Sequence, residues 1–229
     1  MSKERLMKKV GLILIGILFI LGVVSVSADE SGAEMLFSWH AYSYTPSGFD
    51  GRALPITGTL IEAGFDLVQG GKLVNLKDQI IYWYWNDSPI GGGKGVQKIS
   101  FRPTQEGVQK LTVKLPGYNN GGIVRNFKIP VVTPEAVIEA PFQKGNFSSL
   151  NLKVQGRPYF FNVLKSDALQ FLWDVNGQKP SNTENSDVLN INLDQSVSSG
   201  SQFQINLSIS NPRTFLETDS ETKVFNFIK

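Results

Sequence analysis

Ile80-Ile81-Tyr82-Trp83-Tyr84-Trp85-Asn86 is a run of β-branched and aromatic residues that stops at Asn86-Asp87-Ser88-Pro89. Bulky side chains in an unbroken row, closed by turn formers, read as a strand entering a turn. Ninety residues later Leu169-Gln170-Phe171-Leu172-Trp173-Asp174-Val175-Asn176-Gly177 repeats the plan. Trp83 stands three residues before Asn86, and Trp173 three before Asn176. Two related β units in tandem explain both.

Working outward, the first unit predicts strands over 36–44 and 56–63, a turn at Gly70-Gly71, and further strands over 96–101, 108–115 and 123–132. The second predicts strands over 135–140, 150–154 and 159–164, the last two flanking a turn at Gly156-Arg157-Pro158. The Trp173 strand follows, closed by the hairpin signal Asn176-Gly177. A polar loop over 181–187 then leads to alternating strands over 188–193, 203–209 and 224–228. Such alternation means one buried face and one wet face. After position 28 no window of eleven residues has helical periodicity. The expected fold class is therefore all-β, with two tandem Ig-like antiparallel β-sandwiches over 29–132 and 133–229. Pro130 and Pro134 bracket the boundary and predict a short, stiff connection.

Residues 1–28 read as a signal peptide or N-terminal membrane anchor. Lys3, Arg5, Lys8 and Lys9 precede an apolar run over 10–24, and Val26-Ser27-Ala28 offers small residues for cleavage after Ala28. If the segment is not cut, residues 10–26 hold the chain in the membrane. The positive flank stays inside, so the rest is expected outside the cytoplasm, secreted or tethered.

Four of the 22 basic residues and one of the 20 acidic residues lie before position 29. The remainder carries 18 basic and 19 acidic groups, about −1 net, which gives no electrostatic case for nucleic acid. The chain has no cysteine, so disulfides, thiolate catalysis and cysteine metal sites are excluded. Their absence from an exported chain favours a bacterial source. Asn146-Phe147-Ser148 and Asn206-Leu207-Ser208 fit N-glycosylation, which matters only in a eukaryotic secretory pathway.

Motifs that could carry chemistry are few. His40 is the only histidine, sits in an aromatic strand, and has no Gly-x-Ser-x-Gly nucleophile motif to serve. Gly91-Gly92-Gly93-Lys94-Gly95 lacks the first glycine and the final hydroxyl of a phosphate loop, and reads as a flexible hairpin loop. Asp174-Val175-Asn176-Gly177 opens like a calcium loop, but no Glu closes it. No pair of carboxylates stands out for glycoside hydrolysis. The expectation is a non-enzymatic protein with no cofactor and no metal.

Alternation puts Ile81, Trp83 and Trp85 on one side of the aromatic strand, and Ile80, Tyr82 and Tyr84 on the other. With the tryptophans in the core, Tyr82 and Tyr84 face outward. Together with Tyr42, Tyr44 and Trp39 they make the candidate binding face. Such a face serves a protein contact, where Tyr and Trp concentrate. Alternatively it stacks on sugar rings, or is simply covered by the N-terminal strand.

The second unit resembles bacterial immunoglobulin-like and PKD-type domains. The resemblance rests on Phe171-Leu172-Trp173-Asp174-Val175-Asn176-Gly177, the Gly200 turn and residues 203–209. The first unit is similar in looser form, through Trp83 and Asn86, Gly107 and residues 108–115. Neither has that family's fuller Gly-Asp-Gly turn. The resemblance implies no catalytic residues. It implies a spacer, adhesive or protein-interaction module, here of the cell surface; the exposed aromatics give a carbohydrate-binding module as the alternative. A partner could also add a strand to an exposed sheet edge.

Overall fold

A computed structural model describes residues 32–229 apart from Gln143, Asn182, Glu184, Asn185 and Phe215. The expected signal or anchor segment and its cleavage site at Ala28 lie outside the described residues. Among the described residues no helix is long and apolar enough to cross a membrane.

The first half contains eight strands: β1 (Ala33–Ala41), β2 (Ile61–Gln69), β3 (Lys72–Leu73), β4 (Ile80–Trp85), β5 (Ser88–Lys94), β6 (Lys98–Phe101), β7 (Gly107–Leu115) and β8 (Ile123–Val131). One sheet pairs β1 with β2, and β2 in turn with β3 and β6. The other has the order β5-β4-β7-β8. The second half contains β9 (Glu135–Glu139), β10 (Asn146–Phe147), β11 (Asn151–Tyr159), β12 (Gln170–Val175), β13 (Val188–Asn192), β14 (Gln202–Ser210) and β15 (Thr218–Phe227). Its sheets have the orders β13-β11-β9 and β10-β15-β14-β12. All strand pairs are antiparallel except β10 with β15.

Each half buries its own cluster. The first gathers Ile61, Phe65, Leu67, Ile81, Trp83, Leu111, Val113 and Ile129 from both of its sheets. The second gathers Leu152, Val154, Phe171, Trp173, Ile205, Leu207 and Phe225. The two tryptophans are the centres, and they are held alike. Trp83 is fully buried and its indole N–H donates to Val96 O at 2.8 Å. Trp173 donates to Ser186 O at 2.8 Å. A buried indole needs such a partner, and in both halves it lies thirteen residues onward.

The paired asparagines are also equivalent. Asn86 and Asn176 adopt left-handed φ values of 47° and 51°, which asparagine tolerates better than other non-glycine residues. The N–H of Asn86 donates to Lys110 O at 2.9 Å, while its Oδ1 accepts from the N–H of Lys110 at 3.0 Å. Asn176 makes the same pair with Gln204, at 2.9 and 2.8 Å. Asn86 and Asp87 are thus the two central residues of a primed hairpin turn joining β4 to β5, as Asn176 and Gly177 are between Val175 and Gln178.

Several segments differ from the sequence reading. Gly91, Gly92 and Gly93 are not a loop but the body of β5, paired with Trp83, Tyr82 and Ile81. Glycine fits here because a Cβ on Gly92 would lie 2.6 Å from Ile81 O, and one on Gly91 2.7 Å from Ile99 Cδ1. Gly156-Arg157-Pro158 is not a turn either; β11 runs straight through it. Gly156 gives way to Leu207, Phe171 and Trp173, which lie within 3.3 Å of where its Cβ would be. Gly156 sends its N–H to Asp187 O, so Pro158, two residues on, lacks an N–H only on the side where β13 has already ended. Residues 56–60 are not strand: Thr57 and Gly58 form a turn, with Thr59 N–H donating to Ile56 O at 3.1 Å. The strand expected there begins at Ile61 and absorbs residues 64–69.

Candidate functional site

Alternation along β4 holds. Ile81, Trp83 and Trp85 are buried, while Ile80 and Tyr82 are exposed and Tyr84 is half-buried. Cross-strand register extends this outer face over the sheet. Tyr82 lies between Gly92 and Lys114, and Val124 follows on β8. Tyr84 lies between Pro89 and Thr112, followed by Asn126. Glycine and proline leave the tyrosines uncovered on the β5 side. Lys94 beside Ile80, Lys114 beside Tyr82, and the pair Lys110 and Lys128 complete the face.

This face is aromatic and basic. The Lys114 ammonium sits 4.5 Å from the centre of the Tyr84 ring, a cation–π contact. Lys110 pairs with Asp87 at 2.8 Å, both exposed, so the pair is worth little to stability. Asp87 is the carboxylate at the turn, and the strands of this face contribute none. Among the described residues the Tyr82 and Tyr84 hydroxyls make no hydrogen bond. Sequence reasoning found the tyrosines but missed the lysines, because only the register brings Lys110, Lys114 and Lys128 beside them.

The other aromatic candidates are elsewhere. β1 pairs with β2, in the opposite sheet, so Trp39 points inward against the first core with Arg52 4.6 Å above its ring. His40 is exposed and meets Tyr42 edge-on at 4.8 Å. The Tyr42 hydroxyl donates to Glu62 Oε2 at 3.0 Å. That bond, with smaller contributions from desolvation and the Glu62 charge, holds the Tyr42 hydroxyl above the usual tyrosine range. Ser38, His40, Glu62, Gly64, Lys98 and Ser100 line a shallow hollow of about 530 Å³ on this second face. Nothing in the sequence grouped them. Among the described residues no group of three His, Asp or Glu side chains could hold a metal.

Tyr44 belongs to neither face. It bridges the halves, donating its N–H to Phe161 O at 2.8 Å and accepting from Phe160 N–H at 2.7 Å. Around it lies a polar clamp centred on Glu217, whose side chain is buried. The Glu217 carboxylate accepts from Asn162 N–H at 3.0 Å, Asn162 Nδ2 at 2.9 Å and Asn211 Nδ2 at 2.9 Å. Asn162 in turn accepts from Thr59 Oγ1 at 2.5 Å and donates to Thr57 O at 3.2 Å. Val132 N–H donates to Pro55 O at 2.8 Å. The segment 42–60 therefore ties the two halves together.

The strand orders β1-β2-β6 with β5-β4-β7-β8, and β9-β11-β13 with β10-β15-β14-β12, define an all-β protein of immunoglobulin-like arrangement. No protein-family model matches the chain, and no curated protein does. Among solved structures it is similar to the three N-terminal domains of the bacteriophage RB49 highly immunogenic outer capsid protein, at 9% identity and TM-score 0.40. That match covers 83% of this chain and 59% of the phage chain. The fibronectin(III)-like modules of Clostridium thermocellum CbhA match at 11% identity and TM-score 0.29, over 81% of this chain and 93% of theirs. Bacteroides ovatus SGBP-B, from a mixed-linkage glucan utilization locus and in complex with a mixed-linkage heptasaccharide, matches at 12% identity and TM-score 0.26. There the match covers 84% of this chain and 47% of that one.

Proposed function

We propose that the chain is an exported, non-enzymatic protein of two Ig-like sandwiches that presents the outer face of β5-β4-β7-β8 to a protein partner at the cell surface. Export rests on the basic and apolar character of residues 1–28. The observation that carries the binding reading is the exposed Tyr82 beside the half-buried Tyr84, among Lys94, Lys110, Lys114 and Lys128. Rings whose hydroxyls are unspent, rimmed by cations, suit a protein surface, which supplies both apolar area and carboxylates.

The carbohydrate reading is weaker for a physical reason. A sugar stacks on a bare ring face, and the Tyr84 face is taken by Lys114, a contact worth about 0.5–1 kcal/mol at an exposed site. Only Tyr82 is left as a platform. A photo-crosslinking residue at position 82, in cells producing the chain, distinguishes the two. A discrete polypeptide adduct, lost when Lys114 is changed to Glu, is expected. Retention of glycan by the wild type but not by Tyr82→Ala, without any polypeptide adduct, would replace the protein reading by the carbohydrate one. Tyr82→Ala with Tyr84→Ala is expected to change stability by no more than about 1 kcal/mol, since both side chains lie on the outer face.

A further inference from the structure

The halves treat one sheet edge differently. In the second half the outer side of β15 is closed by the chain itself. β10 lies parallel to it, and the N–H groups of Asn226 and Ile228 donate to Gly145 O at 2.8 Å and Phe147 O at 2.9 Å. The same segment covers the β15 rings, with Phe147 5.5 Å from Phe227 and Phe142 6.4 Å from Phe225. Both β15 rings are buried.

In the first half the corresponding segment, 42–60, goes to the junction instead. β8 has β7 on one side and, among the described residues, no strand on the other. The N–H of Val132 points away from β7, to Pro55 O. Alternation then places the N–H groups of Lys128, Asn126 and Val124 on the open side. Pro130, which has no N–H, falls on that side too, as expected at an edge. On the inner side Phe127 stays half-buried, stacked on Phe37 at 3.8 Å.

We propose that the β8 edge takes up an extended acidic segment of a partner protein, in the place that β10 fills in the second half. An edge on which the N–H groups of Val124, Asn126 and Lys128 meet no strand is a template for another, although the Val124 carbonyl there already accepts from Arg125 Nη1 at 2.9 Å. Charge selects its occupant: Lys128 lies on this strand and Lys114 on the next, Lys110 being already paired with Asp87, so carboxylates at alternate positions are favoured over cations. An apolar residue between them would sit beside Phe127, as Phe147 sits beside Phe227. The proposal rests on this sheet being a protein-binding surface, and adds the mode of contact and the charge of the partner.

The test is fluorescence anisotropy on the full chain with a labelled peptide alternating Glu and Phe over about ten residues, enough to span β8. Its Lys-for-Glu version and inorganic polyphosphate serve as comparators. The acidic peptide is expected to bind, and the Lys version not to. Val124→Pro deletes an edge N–H without touching the β7 pairing and should weaken binding about tenfold, the scale of one lost hydrogen bond. Lys128→Glu should weaken it comparably with the backbone intact, and carries the test if Val124→Pro does not fold. Tyr82→Ala should leave peptide binding in place. Equal binding by wild type and both variants, equal displacement from all of them by polyphosphate, or no binding at all would each overturn the edge proposal. A position-82 polypeptide adduct alongside any of those results would leave the sheet a protein-binding surface with a different mode of contact.

Discussion

The two halves share an interior and differ outside. Inside, Trp83 with Asn86 and Trp173 with Asn176 perform the same two tasks, spanning the core and fastening the hairpin turn to the neighbouring strand. Outside, the β4 and β7 face carries tyrosine and lysine. The matching face of β12, β14 and β15 carries no aromatic residue but Ser, Thr, Asn and Gln around the exposed Leu172 and Val224, with Thr222 donating to Asn206 Oδ1 at 2.7 Å and Asn206 to Asp174 Oδ1 at 3.0 Å. The edges differ too, one closed by β10 and the other open. The lesson is that the brace fixes the sheet, while the outer residues and the segment after the first strand are free to take separate roles.

The largest effect should come from the braces. Trp83→Ala and Trp173→Ala should each cost about 3–5 kcal/mol, measured by calorimetry of the full chain. If the halves are separate folding units, each substitution lowers one transition and leaves the other within about a degree or two. A single merged transition moving in both variants would show the junction binding them into one cooperative unit.

Asn162→Ala addresses that junction. It removes one donor from the buried Glu217 carboxylate and the acceptor for Thr59, so a loss of about 1–3 kcal/mol is expected. Small-angle scattering should then show a broader range of relative orientations than the wild type. An unchanged scattering profile would mean that the Tyr44 backbone bridge alone holds the halves.

Two glycines, one inside a strand and one at a turn, sharpen the contrast. Gly92→Val drives a side chain into Ile81 O and should loosen β5, costing about 1–3 kcal/mol and accelerating hydrogen exchange in β4. Gly177→Ala in the second half meets nothing within 4 Å. Its cost, from a φ of 82°, should be about 1 kcal/mol. Comparable losses at both positions would show that β5 is not packed as described.

The smallest effect is a titration on the second face. Because the Glu62 hydrogen bond raises the Tyr42 pKa, the fold favours the neutral phenol. That contribution is complete below the ordinary tyrosine range and is lost as pH rises through the raised value. Glu62→Ala should bring the phenolate transition of Tyr42 back down, read by the ring resonances in NMR. No change would mean that the hydrogen bond is not populated in solution.

Much of the architecture was legible in the chain alone, because its cause is local. Strand alternation reads out the buried and wet sides of β4, β12 and β14. The Trp-x-x-Asn repeat reads out two equivalent strand-and-turn braces, each with its asparagine in the left-handed region. The face residues Tyr82 and Tyr84 follow from the same parity. What misled was glycine and proline inside strands. Gly91 to Gly93 and Gly156 to Pro158 look like turns until Ile81, Leu207 and Trp173 are seen approaching the backbone. Ile81 approaches from the other arm of the same hairpin and Leu207 and Trp173 from separate strands, and in each case the pairing or packing, not the local pattern, sets the contact.

The same reason separates what sequence and structure each decided. Composition, parity and turn chemistry determined an all-β chain with two aromatic strands, each closed by asparagine, and an outward tyrosine pair. Tertiary structure decided which lysines surround those tyrosines and that Trp39 and Tyr44 leave the face. It also decided that residues 42–60 clamp Glu217 and Asn162 rather than closing the β8 edge. Register and long-range burial select among arrangements that local preferences leave nearly equal in energy.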